Sequence, residues 1–243
     1  WQGVVNVSAT TNHSGRASLA AGASACHLAW YEGDAASEIR YLTGADDAWS
    51  AMETVAAEIP DKPPALGELP DQTVVAAWIT SGTVRFAVRD PAGGWTPGDV
   101  TGAGTGGSTA VGCVDPAGNF HLLAERDDAG TVTLEHLWYD GAAWASAGTV
   151  ATLGAIGARV DVAADGLGGL HAVWHDAGAY HHADWDGAWT GAQVVAGVNR
   201  VKSILRYFKR VKIIIIMIAA YDAVIPISSR VFNARFQIDD HIL

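Results

Sequence analysis

Apolar and polar positions follow a fixed order along most of the chain, clearest after residue 158. Arg159-Val160-Asp161-Val162-Ala163 alternates, which predicts a strand with one face covered. Asp165-Gly166-Leu167-Gly168-Gly169 has the composition of a turn. Leu170-His171-Ala172-Val173-Trp174 is apolar almost throughout and predicts a second strand buried on both faces. Residues 179–183 predict a third strand, Asp186-Gly187-Ala188 a turn, and Trp189 the start of a fourth. The same order occurs three times upstream. Residues 17–21, 26–30 and 38–42 precede Trp49; residues 74–78 and 83–88 precede Trp95; residues 111–114, 120–123 and 133–137 precede Trp144.

The order is therefore a repeat. Trp1, Trp49, Trp95, Trp144 and Trp189 stand 48, 46, 49 and 45 residues apart. Four short strands per unit of that length is the arithmetic of a β-propeller blade, so an all-β propeller is expected. The units fall at 9–57, 58–103, 104–152 and 153–198, and residues 1–8 read as the outer strand of a preceding or closing blade. Val7, Val55, Val150 and Val195 each follow their tryptophan by six residues, an even offset that would place both on one face of a strand. Val100 follows by five, beside Pro97, and predicts a bulge or slip there.

Residues 201–243 break the pattern. Glycine and tryptophan vanish, ten isoleucines appear, and seven Lys+Arg stand against three acids. Two readings fit this tail. It is either the closing blade, completed by residues 1–8, or a foreign segment joined to the repeats. Its apolar run at 213–220 is too short to span a bilayer, and Asp222 interrupts it. The chain opens on an anchor tryptophan rather than a methionine, which reads as a fragment that begins inside a repeat. A net charge of −11 argues against nucleic acid and anionic membranes as partners. Cys26 and Cys113 hold different places in their units and predict two free thiols rather than a bridge.

His27, His121 and His171 share one repeat position, which Val75 fills in the second unit. Trp30, Trp78 and Trp174 follow three residues later, on the opposite strand face. Both positions read as packing between blades, with a partner needed for each buried ring N–H. His181 and His182 are adjacent and would point to opposite faces, so neither a metal nor a cofactor is expected.

Asp140-Gly141-Ala142-Ala143-Trp144 and the shorter Asp186-Gly187-Ala188-Trp189 resemble the D-G-x-x-W core of the Asp-box turn in sialidase-type propellers, without its serine. The resemblance implies that Asp140, Gly141, Asp186, Gly187 and the repeat tryptophans are structural. It also implies an extracellular or cell-surface protein. Sialidase catalysis would need three arginines around a substrate carboxylate, and no complete set can be assembled from the seven arginines before residue 201. A weaker resemblance is to propeller lectins, carried by Trp138-Tyr139-Asp140-Gly141 and Trp185-Asp186-Gly187. Sugars are held by an aromatic platform plus a few polar groups, so Trp138, Trp185, Tyr180 and His182 are the candidate ligand residues. The expectation is a non-catalytic glycan-binding or scaffold propeller. A sialidase-like hydrolase fragment and a protein-interaction propeller are the alternatives, and oligomeric state is left open.

Overall fold

The structure, a computed structural model, describes residues 8, 14–23, 25–33, 37–45, 48–100 and 104–195. All of them belong to one compact unit spanning Trp1–Lys212. The expected shared blade rests on residues 1–7 and 196–243, outside the described residues, as do Trp1 and Val7.

Seventeen strands form four antiparallel sheets, and no helix occurs among the described residues. Blade 1 comprises β1 (Ser14–Ala21), β2 (Cys26–Glu32), β3 (Glu38–Ala45) and an outer strand in two pieces, β4 (Ala48–Trp49) and β5 (Glu53–Ala56). Blade 2 comprises β6 (Ala65–Glu68), β7 (Val74–Thr80), β8 (Thr83–Arg89) and β9 (Trp95–Asp99). Blade 3 comprises β10 (Gly106–Val114), β11 (Phe120–Asp128), β12 (Thr131–Tyr139) and β13 (Trp144–Leu153). Blade 4 comprises β14 (Arg159–Ala164), β15 (Leu170–Asp176), β16 (Ala179–Trp185) and β17 (Gln193–Val195). The strands of each blade pair in chain order, and the inner strands pack in the row β1–β6–β10–β14. The fold is thus a β-propeller of four four-stranded blades, as the repeat implied.

Turn chemistry sets these hairpins. The links between second and third strands in blades 2, 3 and 4 are Ser81-Gly82, Ala129-Gly130 and Ala177-Gly178, with both residues at positive φ in each. That is the two-residue turn whose twist matches paired strands. At the other end of the blades, aspartates cap the turns. Asp140 Oδ1 accepts the N–H groups of Ala142 and Ala143, and Asp90 Oδ1 accepts that of Ala92. Asp165 Oδ1 does the same for Leu167 and Gly169 in the β14–β15 turn.

The core is distributed between blades. Ala29, Ile39 and Tyr41 of blade 1 meet Leu66, Ala76 and Trp78 of blade 2. Val75, Ala77 and Ile79 of blade 2 meet Phe120, Leu122 and Leu137 of blade 3. Leu123, Leu134 and Val150 of blade 3 meet Leu170, Ala172 and Trp174 of blade 4. Trp30, Trp78 and Trp174 do point away from the histidine side of their strands, and the buried indoles of Trp30 and Trp78 donate to Glu32 and Glu58.

The outer strands correct three expectations. Trp189 does not open β17; it forms an isolated bridge with Trp185, and pairing resumes only at Gln193. Its turn is one residue short, and the Thr190 N–H turns back to the Asp184 carbonyl. The bulge expected near Val100 is absent, because β8 and β9 pair in continuous register. Bulges occur instead where the spacing is six. Val55 lies between the pairs Arg40↔Thr54 and Ile39↔Ala56; in β13 the register shifts at Ala147, between Leu137↔Ser146 and His136↔Gly148, and again at Val150, between Glu135↔Thr149 and Leu134↔Ala151. An extra residue reverses the alternation of faces. Trp144 accordingly faces blade 2 while Val150 faces blade 4. Cys26 and Cys113 are free thiols, as expected.

Candidate functional site

The repeated histidine is the centre of a small polar assembly in three blades. Strand register places a third-strand residue beside it in each: Tyr41, His136 and His182 face Ala29, Leu123 and Val173, two residues beyond His27, His121 and His171. Phe86 holds that place in blade 2. The outer tryptophan of the following blade packs edge-on against this ring. Trp95 meets Tyr41 at 5.0 Å, Trp144 meets Phe86 at 5.4 Å and Trp189 meets His136 at 5.3 Å between ring centroids. The anchor tryptophans are therefore interblade keys. Trp49, in the first described blade, is 40% exposed.

A carboxylate fixes each histidine from the other side. His121 Nε2 lies 3.0 Å from Asp115 Oδ2, in the turn of its own blade. His27 Nε2 lies 2.6 Å from Glu68 Oε2, which comes from blade 2. Gly22 stands where the aspartate would be, and a Cβ there would sit 2.3 Å from Glu68 Oε2. The neighbouring blade thus supplies the acid through a gap that glycine leaves open.

Between blades 3 and 4 the hydrogen bonds form a directed relay. The Asp115 carboxylate accepts from His121 Nε2, which leaves His121 Nδ1 to accept from His136 Nε2 at 2.9 Å. His136 Nδ1 then accepts from Trp189 Nε1 at 3.2 Å. Both imidazoles are neutral in this arrangement, and every ring nitrogen is used once. Burial, and then the neighbouring His121, push the His136 pKa down to about 3. Asp115 is raised by burial, but hydrogen bonds from Asn119 and His121 leave its pKa below the ordinary value.

The four candidate ligand residues are not gathered into one site. Trp138 stands opposite His121 in the β11–β12 register, on the side of blade 3 that faces blade 4. The half-buried Trp185 ring comes from blade 4 into the same interface, 5.8 Å from His121 and 5.2 Å from His136. Its Nε1 is buried with no hydrogen-bond partner. Tyr180 and His182 lie on the opposite face of blade 4, because they alternate with His181 and Ala183 along β16. His181 stacks on Trp174, which points towards blade 3.

A cleft of about 260 Å³ opens at the other end of blade 3, lined by Arg126, Asp128, Thr131, Thr133 and Glu135. Register makes it: Arg126 pairs with Thr133 and Asp128 with Thr131, so the five side chains share the face that meets blade 2. Arg126 Nη2 donates to Asp128 Oδ2 at 3.3 Å, and Thr149 Oγ1 donates to Glu135 Oε1 at 2.9 Å. The signal for this group in the sequence is the alternation of these positions on either side of Ala129-Gly130 within a single hairpin. Other described arginines are engaged locally: Arg40 by Glu38, Arg85 by Glu58 and Asp99, Arg89 by Glu53, and Arg16 at the Pro60 carbonyl.

No protein-family model matches the chain, and no curated protein matches it by sequence. Solved structures do match in fold. A Dyadobacter fermentans protein of unknown function superposes at TM-score 0.59 and 14% identity, over 76% of this chain and 70% of its own. The Aleuria aurantia lectin, solved with Fucα1-6GlcNAc, matches at 0.56 and 12% identity, over 76% and 62%. AofleA from Arthrobotrys oligospora matches at 0.52 and 16% identity, over 79% and 63%. The chain thus spans somewhat less than two thirds of both of these last two proteins. A leech trans-sialidase aligns at only 0.44 over 26% of its chain, too loosely to favour sialidase chemistry.

Proposed function

We propose that this propeller binds a glycan through one sugar unit, without chemistry, outside the cell or on its surface. The observation that carries the proposal is the blade 3 cleft. It offers one guanidinium, two carboxylates and two hydroxyls on paired strands, a donor and acceptor set suited to a polyhydroxylated ring. Its volume of about 260 Å³ lies just under the range of roughly 300–1,000 Å³ typical of drug-sized ligands, which suits a small residue of a larger chain. Trp138 and Trp185, towards the opposite end of blade 3 and on its blade 4 side, make a second candidate platform, with Tyr180 and His182 on the far face of blade 4.

The lectin among the structural neighbours that was solved with Fucα1-6GlcNAc makes fucosides the first glycans to test. The D-G-x-x-W turns support the sialidase-type resemblance only as turn architecture, and the Asp140 carboxylate is spent on the Ala142 and Ala143 N–H groups. An array of fucosides, sialosides and uronates, followed by calorimetry, tests the reading. Binding abolished by Arg126→Ala and weakened by Glu135→Gln places the sugar in the cleft. Loss on Trp138→Ala or Trp185→Ala with folding intact moves it to the tryptophan platform. A full array without a hit defeats the glycan reading and leaves the scaffold alternative.

A further inference from the structure

We propose that His171, His182 and Asp184 on the outer side of blade 4 form a binding site for a divalent transition-metal ion of the zinc class. His171 Nδ1 lies 2.6 Å and His182 Nε2 lies 3.0 Å from the same oxygen, Asp184 Oδ1. All three donor atoms lie within 4.8 Å of one another. Zinc ligands at about 2.0–2.2 Å in tetrahedral geometry stand roughly 3.3 Å apart, so the His171–Asp184 contact would open by about 0.7 Å and the His182–Asp184 contact by about 0.3 Å. His171 Nε2 faces Asp165 Oδ2 at 3.6 Å. A carboxylate behind a metal-binding imidazole fixes its ring and tautomer, and Asp165 is itself held by the Leu167 and Gly169 N–H groups. Side-chain exposures of 14%, 17% and 34% leave the cluster open to an ion and to a water in the fourth position.

The repeat supplies the independent argument. The three places are occupied by His27, Tyr41 and Thr43 in blade 1, by Val75, Phe86 and Val88 in blade 2, and by His121, His136 and Trp138 in blade 3. Packing is met there with one or two metal-binding side chains or none. Blade 4 alone among the described blades carries three. The adjacency that argued against His181-His182 as a pair does not apply, because His182 meets His171 across two strands, with rings 6.1 Å apart and nearly parallel. The inference is independent of the glycan reading.

Titration of the metal-stripped full chain with ZnCl₂, and with CoCl₂ followed by absorbance, tests it. One equivalent should bind at micromolar concentration or tighter, with cobalt giving the intense visible bands of a four-coordinate site. His182→Phe and Asp184→Thr, the residues blades 2 and 1 already use, should weaken zinc binding about 100-fold, and Asp165→Asn about 10-fold. His175→Ala should change nothing. Absence of binding by the wild type, binding unaffected in both His182→Phe and Asp184→Thr, or equal loss in His175→Ala would each overturn the site. Should a variant fail to fold, the wild-type cobalt spectrum still decides, since octahedral or absent bands refute the geometry.

Discussion

Acid should loosen the contact between blades 3 and 4 first, through His136. Its Nε2–H is committed to His121 and its Nδ1 to the Trp189 indole N–H. A second proton would have to go onto Nδ1, facing a donor, in a site with 0% exposure. That is the physical content of a pKa pushed down to about 3. An unfolded histidine titrates near 6.5. A depressed folded value means that stability is full above about 6.5 and drains away as pH falls towards 3. Between pH 7 and 5 the loss is about 2 kcal/mol. For a domain of this size that is roughly 4–8 °C in Tm. Phe86 fills the equivalent place in blade 2, where the Trp144 Nε1 lies buried with no hydrogen-bond partner, so His136→Phe is a substitution the repeat already tolerates. At pH 7 it should cost about 1–3 kcal/mol, from the stranded Trp189 N–H and His121 Nδ1. The decisive measurement is the difference between wild type and variant in urea unfolding, followed by tryptophan fluorescence from pH 4.5 to 8. The wild type should lose its advantage as pH falls, by about 2 kcal/mol at pH 5. Parallel pH curves would refute the relay.

Other outcomes follow from the same structure. Burial raises the Asp161 pKa to about 6, partly offset by the Val162 N–H, so this group's contribution declines as pH rises from about 4 to 6, and Asp161→Asn should gain about 1–2 kcal/mol at pH 7–8 in the same unfolding assay. Ala129 has φ of 51° in the β11–β12 turn, and Ala129→Asn should stabilise by about 0.5–1 kcal/mol in thermal unfolding, with no gain if the turn is not of this type. The buried Glu125 carboxylate collects the N–H groups of Ser108, Thr109, Gly157 and Ala158. Glu125→Ala should cost about 2–4 kcal/mol and accelerate hydrogen exchange at residues 154–158, while unchanged exchange there would argue against that role.

Periodicity along the chain determined the blades. Recurring tryptophans, alternating strands and aspartate–glycine turns are local signals, and each depends only on a residue and its near neighbours, so strand number and order were readable from residues alone, whereas the contact of each anchor with the preceding blade was not. The Val55 and Val150 bulges were not, because a bulge depends on how two strands slide past each other. Tertiary structure decided what joins separate strands or blades: Glu68 reaching His27 through the gap at Gly22, the relay from Asp115 to Trp189, and the meeting of His171, His182 and Asp184. Such groups have no characteristic spacing, because they are adjacent only once hydrogen-bonded register and blade packing have brought distant positions together.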